Sequence, residues 1–165
     1  MNFSFDRDIG VSARTALRAY SSPSFYEGRE TVDNVAVLEV VDHRDNGDTV
    51  LIAVRFKFTG SVSSAVKAIV DPDKMSWVTR TEVFIDEGRT NWVVLPDNYP
   101  DRLTGTGSYH FNEGAQGPDS TVIRVEGDLR VHVPIVGRTV ERVIVSGLRS
   151  YIAAEVKSLP DVPQG

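Results

Sequence analysis

Four side chains in this sequence are candidates for acid–base chemistry: Thr81, Tyr109, Tyr151 and Glu155. A general acid or base must lie within hydrogen-bonding distance of the group with which it exchanges a proton. Glu155 is the unusual member, because helical spacing from Tyr151 places it near the centre of an apolar helix face. There a carboxylate needs a partner or a raised pKa, and it could orient a polar group of a ligand. We expect it instead to lie in water where the helix overhangs the sheet, since charged side chains are rarely buried without a partner.

Other familiar kinds of reactive site are missing from the sequence. The chain has no cysteine, which excludes disulfides, thiolate nucleophiles, zinc fingers and iron–sulfur clusters. His43, His110 and His132 are scattered rather than set at metal-ligand spacing, so we expect no metal site. No serine lies in the G-x-S-x-G pattern of hydrolases. The Gly-Thr-Gly at 105–107 lacks the other residues of a phosphate-binding loop. We therefore expect no cofactor.

Size and charge limit the class of protein further. A chain of 165 residues is expected to form one domain, over 1–160, followed by a disordered tail over 161–165. The net charge of −5 disfavours a nucleic-acid partner, because such binding depends on neutralising phosphates. A local basic patch is possible, but we interpret it as a solvated helix face; its members are Arg138, Arg142, Arg149 and Lys157. Without a secretory signal or an apolar run of about 20 residues, we expect a cytoplasmic protein that does not span a membrane.

The elements that would position the candidate side chains follow a simple order. Ser12 can cap a short helix, and the Ser-Pro-Ser at 22–24 can start a second one. Pro134 suits the first turn of one long C-terminal helix. Residues 61–70 form either a short helix or a bent edge segment, and 112–119 is expected to be a long turn. Alternating polarity predicts strands at residues 2–9, 32–41, 49–58, 75–85, 90–95, 103–111 and 121–133.

The long helix has one apolar stripe, formed by Val140, Ile144, Gly147, Leu148 and Tyr151. One-sided strands beside one amphipathic helix predict an α+β fold. In it, a curved antiparallel sheet of six to seven strands wraps around the helix, with two short helices after the first strand. Glycine at 147 either leaves room for a ligand or lets the helix approach a bulky residue.

Side chains that point inward from the sheet and from the helix would line a cavity between them. Apolar walls with a few polar groups are typical of small-molecule sites. The alternative is that these residues fill a core, and that Thr79 and Thr81 are simply good strand formers. The predicted ligand-binding set is Val54, Phe56, Phe58, Trp77, Thr79, Thr81, Val83, Trp92, Tyr109, Ile144, Gly147, Leu148 and Tyr151.

This order of elements resembles the START-like superfamily, also called SRPBCC, Bet v 1-like or helix-grip. The segment 133–142 looks like the strand-to-helix junction of many bacterial members, and 22–29 looks like their short second helix. Within the superfamily the chain is most similar to DUF2505, a family of unknown function typical of actinobacteria. Superfamily members bind lipids, sterols, polyketides and plant hormones, and some are cyclases or co-chaperones. The resemblance therefore implies a cavity and does not specify a reaction.

We expect a non-catalytic carrier or sensor that binds a hydrophobic small molecule, such as a lipid or a polyketide-like ring. An alternative is a polyketide cyclase or aromatase, in which Glu155, Tyr109, Tyr151 or Thr81 would supply the acid or base. A second alternative is a co-chaperone-like domain that binds a protein and no small ligand. A filled core and a large exposed apolar patch would favour the latter.

Overall fold

The fold is a seven-stranded antiparallel sheet that wraps around one long helix, as seen in a computed structural model that describes residues 1–161. Residues 162–165 of the predicted tail lie outside the described part. The strands are β1 (Asn2–Ile9), β2 (Val35–Asp45), β3 (Thr49–Phe58), β4 (Ser76–Phe84), β5 (Arg89–Pro96), β6 (Leu103–Gly114) and β7 (Gly117–Val131). The helices are α1 (Ala13–Tyr20), α2 (Ser64–Lys67) and α3 (Gly137–Glu155), with 3-10 turns at Pro23–Phe25, Pro72–Lys74 and Val156–Asp161. The predicted helix-grip fold is confirmed.

The strands lie in the order β1-β7-β6-β5-β4-β3-β2, so both edges of the sheet come from the N-terminal part of the chain. Alternating polarity produces this sheet directly. In β7, Ile123 and Val125 are buried while Arg124 is exposed, because successive side chains point to opposite faces. One face is therefore apolar and is covered by α1 and α3. The other face is polar and open to water.

The turn predicted over 112–119 is shorter than expected. Strand β6 continues to Gly114 and β7 begins at Gly117. Gly117 has φ 96°, a left-handed conformation that glycine adopts without a steric penalty and that allows a tight reversal. The polar residues on either side were misread as a loop, because an exposed hairpin end can be polar on both faces.

The junction between β7 and α3 also differs from the prediction. Pro134 does not lie in the first helical turn, since α3 begins at Gly137. The Val136 N–H donates to the Pro134 carbonyl at 2.8 Å around Ile135, whose φ is 71°. This is a γ-turn of the rare positive-φ form, which is strained for a β-branched residue. A Cβ atom at Gly137 would lie 2.6 Å from the Val131 carbonyl oxygen, so only glycine lets the helix start this close to the strand.

The buried stripe of α3 is displaced from the predicted one. The most buried positions are Glu141, Val145, Ile152 and Glu155, together with Gly137. Residues Val140, Ile144, Leu148 and Tyr151 are half-buried, and Gly147 is exposed. The predicted centre was wrong because two of the buried positions are carboxylates, which hydrophobic periodicity does not assign to a core. The residues of the predicted stripe lie instead along one edge of the buried face of α3.

Candidate ligand-binding site

Strand register brings the predicted sheet residues together on one face. Phe56 lies opposite Trp77, and Val54 lies opposite Thr79. Thr81 in turn lies opposite Trp92 on the neighbouring strand. Directly opposed residues of antiparallel strands share a face, so these side chains form a continuous floor. Phe58, Val83 and Tyr109 lie on the same face by the same register.

The floor is only partly covered. Val54, Phe56 and Val83 are buried. The other predicted sheet residues are half-buried: Phe58, Trp77, Thr79, Thr81, Trp92 and Tyr109. The predicted helix residues Ile144, Leu148 and Tyr151 are also half-buried, and the Tyr151 ring lies 6.4 Å from the Phe56 ring. Sheet and helix thus each present partly accessible apolar groups.

Gly147 does not serve a close approach of the helix to a bulky residue. A Cβ atom built at this position meets no atom within 4 Å. Gly147 is exposed, so the space beside it is open to solvent, and the predicted role of leaving room for a ligand stays a prediction. The glycine costs about 1 kcal/mol of helix stability relative to alanine, and no packing contact offsets that cost.

The centre of the floor is built from a pair of glycines under an indole ring. Gly107 and Gly127 lie opposite each other, and a Cβ atom at Gly107 would lie 2.3 Å from Cζ2 of Trp92. The Trp92 ring also stacks on Phe3 at 6.4 Å. Gly107 and Gly127 therefore make room for the indole ring of Trp92. Trp92 Nε1 and Thr90 Oγ1 are buried without a hydrogen-bond partner in the described part of the chain. A polar atom of a ligand or a water molecule would satisfy them.

Glu155 lies at the end of this site. We expected its carboxylate to lie in water, and this prediction was wrong. Its side chain is buried, and its carboxylate accepts three hydrogen bonds. Arg29 Nη1 and the Tyr151 hydroxyl donate to Oε1, both at 3.0 Å. The Tyr20 hydroxyl donates to Oε2 at 3.2 Å. Sequence reasoning did not predict this burial, because Arg29, the partner that makes it possible for the carboxylate, comes from a distant part of the chain.

Burial dominates the electrostatics of this cluster. Desolvation raises the pKa of Glu155, and the Arg29 guanidinium and the two tyrosine hydroxyls only partly oppose that rise. Desolvation likewise raises the pKa of Tyr20, Tyr109 and Tyr151, and the nearby Glu155 carboxylate raises it further. Desolvation is the largest single effect on the pKa of Arg29 and lowers it, but Glu155, Tyr151 and Tyr26 together outweigh it and the net direction is upward. The tyrosines therefore remain neutral donors and the arginine remains charged.

Sequence reasoning missed Arg29 and Tyr20. Arg29 lies 126 residues from Glu155 along the chain, in the segment after the Pro23–Phe25 turn. Its guanidinium also stacks over Phe25 at 4.6 Å and donates to Ser158 Oγ at 3.3 Å. No local spacing predicts a contact of this range. The one available signal was a carboxylate on an apolar helix face, which requires a cation from elsewhere.

The histidines remain apart. His43 contacts the Ser21 carbonyl oxygen, His110 contacts Ser108, and His132 contacts Thr104. Within residues 1–161, no three histidine, aspartate or glutamate side chains are grouped so that they could hold a metal ion. In that same range, no helix is both long enough and apolar enough to cross a bilayer.

A comparison with known protein families identifies the family to which the chain belongs. The model of a family described as protein of unknown function (DUF2505) matches residues 4–161. No curated protein matches the chain in sequence.

A comparison with solved structures shows that other proteins share this fold. A START superfamily protein from Mycobacterium smegmatis matches with a TM-score of 0.61 and 16% identity, over 98% of this chain and 99% of that one. The Zhui aromatase/cyclase from a Streptomyces strain matches with a TM-score of 0.62 and 8% identity, over 97% and 93%. Norcoclaurine synthase from Thalictrum flavum matches with a TM-score of 0.59 and 14% identity, over 96% and 85%. At such identities the likeness shows a shared fold and carries no activity across.

Proposed function

The chain belongs to the DUF2505 family, and we propose that it binds a hydrophobic small molecule between the sheet and α3, as a carrier or sensor that catalyses no reaction. The observation that carries this proposal is the partial exposure of apolar side chains on both facing surfaces. Trp77 and Trp92 on the sheet, and Ile144 and Leu148 on the helix, are half-buried where a filled core would bury them. A ligand between these surfaces would complete their burial.

Aromatic side chains dominate the floor, which favours a ligand with flat rings over a saturated chain. The Phe56 and Trp77 rings stack at 5.9 Å, and Tyr109 meets Tyr20 edge-on at 5.8 Å. Aromatic faces prefer offset-stacked or edge-on partners. A ligand that buries about 300 Å² of apolar surface would gain roughly 7 kcal/mol before the costs of association are subtracted. A polyketide-like ring system has the required size and shape.

One observation favours a second candidate, a cyclase-like enzyme. Glu155 is a buried carboxylate with a raised pKa, and it accepts hydrogen bonds from Tyr20 and Tyr151 at the end of the floor. Perturbed carboxylates of this kind are common at catalytic sites. Against this reading, Oε1 already accepts two hydrogen bonds and pairs with Arg29. We therefore assign Glu155 an anchoring role, and turnover of a supplied polyketide would overturn that assignment.

Native mass spectrometry of the protein purified from the cells that make it tests the proposal. We expect a reproducible small-molecule adduct that denaturation releases. Thr81→Phe, which fills the floor, should abolish the adduct. Arg80→Phe, on the adjacent residue of β4 that faces the other side of the sheet, should retain it. A clean apo mass, with no rise in melting temperature across aromatic and lipid compounds, would reject a carrier and favour a protein partner.

A further inference from the structure

Charge is segregated on α3. The helix carries two carboxylates, Glu141 and Glu155, and both are buried. Its three arginines are all exposed. The exposed face of α3 therefore presents three positive charges and no negative one, although the whole chain has a net charge of −5. Such a face attracts an anionic surface that the rest of the molecule repels.

The three arginines form one stripe. At about 100° per residue, Arg138, Arg142 and Arg149 fall within roughly 40° of one another around the helix axis. None of them forms an ion pair with a side chain that the structure describes. Arg149 is fixed beside the edge strand, where it lies 4.9 Å from the Phe5 ring and donates to the Ser4 carbonyl at 3.4 Å. Arg138 and Arg142 therefore remain available to an external anion, and with the fixed Arg149 the stripe extends along about 16 Å of helix.

Two large apolar side chains are exposed near the arginines, one on α3 about 120° around the helix from the stripe and one in the turn that precedes the helix. Ile135, at the tip of the γ-turn, is 100% exposed, and Val143 on α3 is 66% exposed. On the helix, between Val143 and the arginine stripe, lie small side chains that allow close approach: Thr139, Ser146 and Ser150, all exposed. The strained turn holds Ile135 away from the protein, where it contributes nothing to the core. An apolar group held outward in this way gains free energy only by entering another apolar phase.

We infer that the exposed face of α3, with Ile135 at its N-terminal end, rests on the surface of an anionic lipid bilayer. The arginine stripe would pair with lipid phosphates, and Ile135 and Val143 would enter the boundary between headgroups and acyl chains. Arginine alone would equally fit a nucleic acid. The protruding isoleucine decides for a bilayer, because a phosphate backbone offers no apolar phase.

This contact would place the proposed ligand site at the membrane. The half-buried residues Ile144 and Tyr151 lie on the opposite edge of the same helix from the arginines, with Gly147 between that edge and the exposed face. A molecule dissolved in the bilayer would then reach the site along α3. The membrane contact itself goes beyond the ligand proposal and does not depend on it, since vesicle binding requires no occupied site.

Flotation of the full chain with vesicles tests the inference. Phosphatidylcholine vesicles containing phosphatidylglycerol should bind the protein, and vesicles of phosphatidylcholine alone should bind it several-fold more weakly. Raising the ionic strength from about 0.1 M to about 1 M should release it, because the Debye length falls from about 10 Å to about 3 Å. Arg142→Ala should weaken binding about fivefold. Arg80→Ala removes the same charge from an exposed position on β4 and should not weaken it.

Ile135→Gly separates membrane contact from folding. Glycine accepts a φ of 71° without strain, so the melting temperature should be unchanged or higher. Vesicle binding should nevertheless fall about tenfold, because the inserted side chain is lost. The inference is overturned if the wild-type chain does not float with anionic vesicles, or if Arg80→Ala weakens binding as much as Arg142→Ala. Unchanged binding in Ile135→Gly, with tighter binding to duplex DNA than to vesicles, would assign the stripe to nucleic acid instead. A concentration-dependent dimer that Ile135→Gly dissolves would assign it to a second copy of the chain.

Discussion

Each end of α3 contains a buried glutamate, and the pKa values of the two carboxylates are shifted in opposite directions. Glu141 is 8% exposed and Glu155 is 3% exposed. A hydrogen bond from the Val131 N–H, at 3.0 Å to Oε1, holds the pKa of Glu141 below its usual value of 4.5, with help from the N-terminal ammonium at 3.5 Å. Desolvation holds the pKa of Glu155 above the same value.

The difference lies in what surrounds each carboxylate. Glu141 lies near the start of the helix, at the rim of the sheet, and receives a backbone donor that favours its charged form. Glu155 is the last residue of α3, where the helix dipole disfavours negative charge. It is enclosed by aromatic rings, so its arginine and tyrosine partners only partly replace water. Burial by itself therefore does not set the direction of a pKa shift; the balance of desolvation and donors does.

The largest expected effect comes from removing the cation that pairs with Glu155 at the C-terminal end of α3. Arg29→Met keeps an apolar stem but removes the cation, which leaves a buried carboxylate without its ion-pair partner. We expect the free energy of unfolding to fall by about 3 kcal/mol, measured by denaturant titration at neutral pH. Arg142→Met removes an exposed arginine from α3 and should change stability by less than about 0.5 kcal/mol. Equal losses in the two variants would contradict a structural role for the Arg29–Glu155 pair.

A smaller effect is expected from a single hydroxyl. Tyr20→Phe removes the donor to Glu155 Oε2 and leaves the ring packing against Phe25 and Tyr109 intact. Hydrogen bonds to charged groups contribute about 1.5–3 kcal/mol, so a loss near the lower limit is expected in the same titration. Tyr99→Phe, which removes the hydroxyl that accepts from the exposed Asp71 N–H, is the matched control and should cost far less. The comparison fails if both changes cost the same.

The smallest expected effect is on pH dependence: the contributions of Glu155 and Glu141 to stability change with pH in opposite directions. Because the folded pKa of Glu155 is raised, its contribution to stability is full below pH 4.5 and is lost as the pH rises through the raised value. Because the folded pKa of Glu141 is lowered, its contribution is full above pH 4.5 and is lost as the pH falls through the lowered value. Relative to wild type, Glu155→Gln should therefore gain stability with rising pH, and Glu141→Gln should lose it.

Unfolding free energies measured from pH 3 to pH 8 would test this contrast, because both substitutions keep the size of the side chain. The neighbouring groups that titrate or carry charge are Tyr20, Tyr26, Tyr109, Tyr151 and Arg29 at one end and the N-terminus, Asp128 and Arg130 at the other. The pKa values of these tyrosines and of Arg29 are raised above their usual values, so none of these groups titrates in this range. Parallel slopes in the two variants would show that the two ends share one environment.

Local pattern predicted much of the sheet. The prediction placed Thr81 inward, and it placed Trp92 and Tyr109 there although glycines interrupt their region. Register puts all three on the covered face, as predicted. This succeeded because side-chain direction in a regular strand has a period of two, and β4, β5 and β6 pair at these residues without a register shift. Whether these residues bind a ligand remains a proposal.

What the sequence by itself determined is the class of fold, the face on which the residues of the regular strands β3, β4 and β5 lie and the absence of thiol chemistry. Those properties follow from the local periodicity of the chain and from its composition. The tertiary structure alone decided the rotation of α3, the strained turn at Ile135 and the burial of Glu155. Each depends on a contact between distant segments: Gly137 against Val131 at the start of the helix, and Arg29 against Glu155 at its end. A buried charge is stable only where another element delivers its partner, and no periodicity within the helix carries that information.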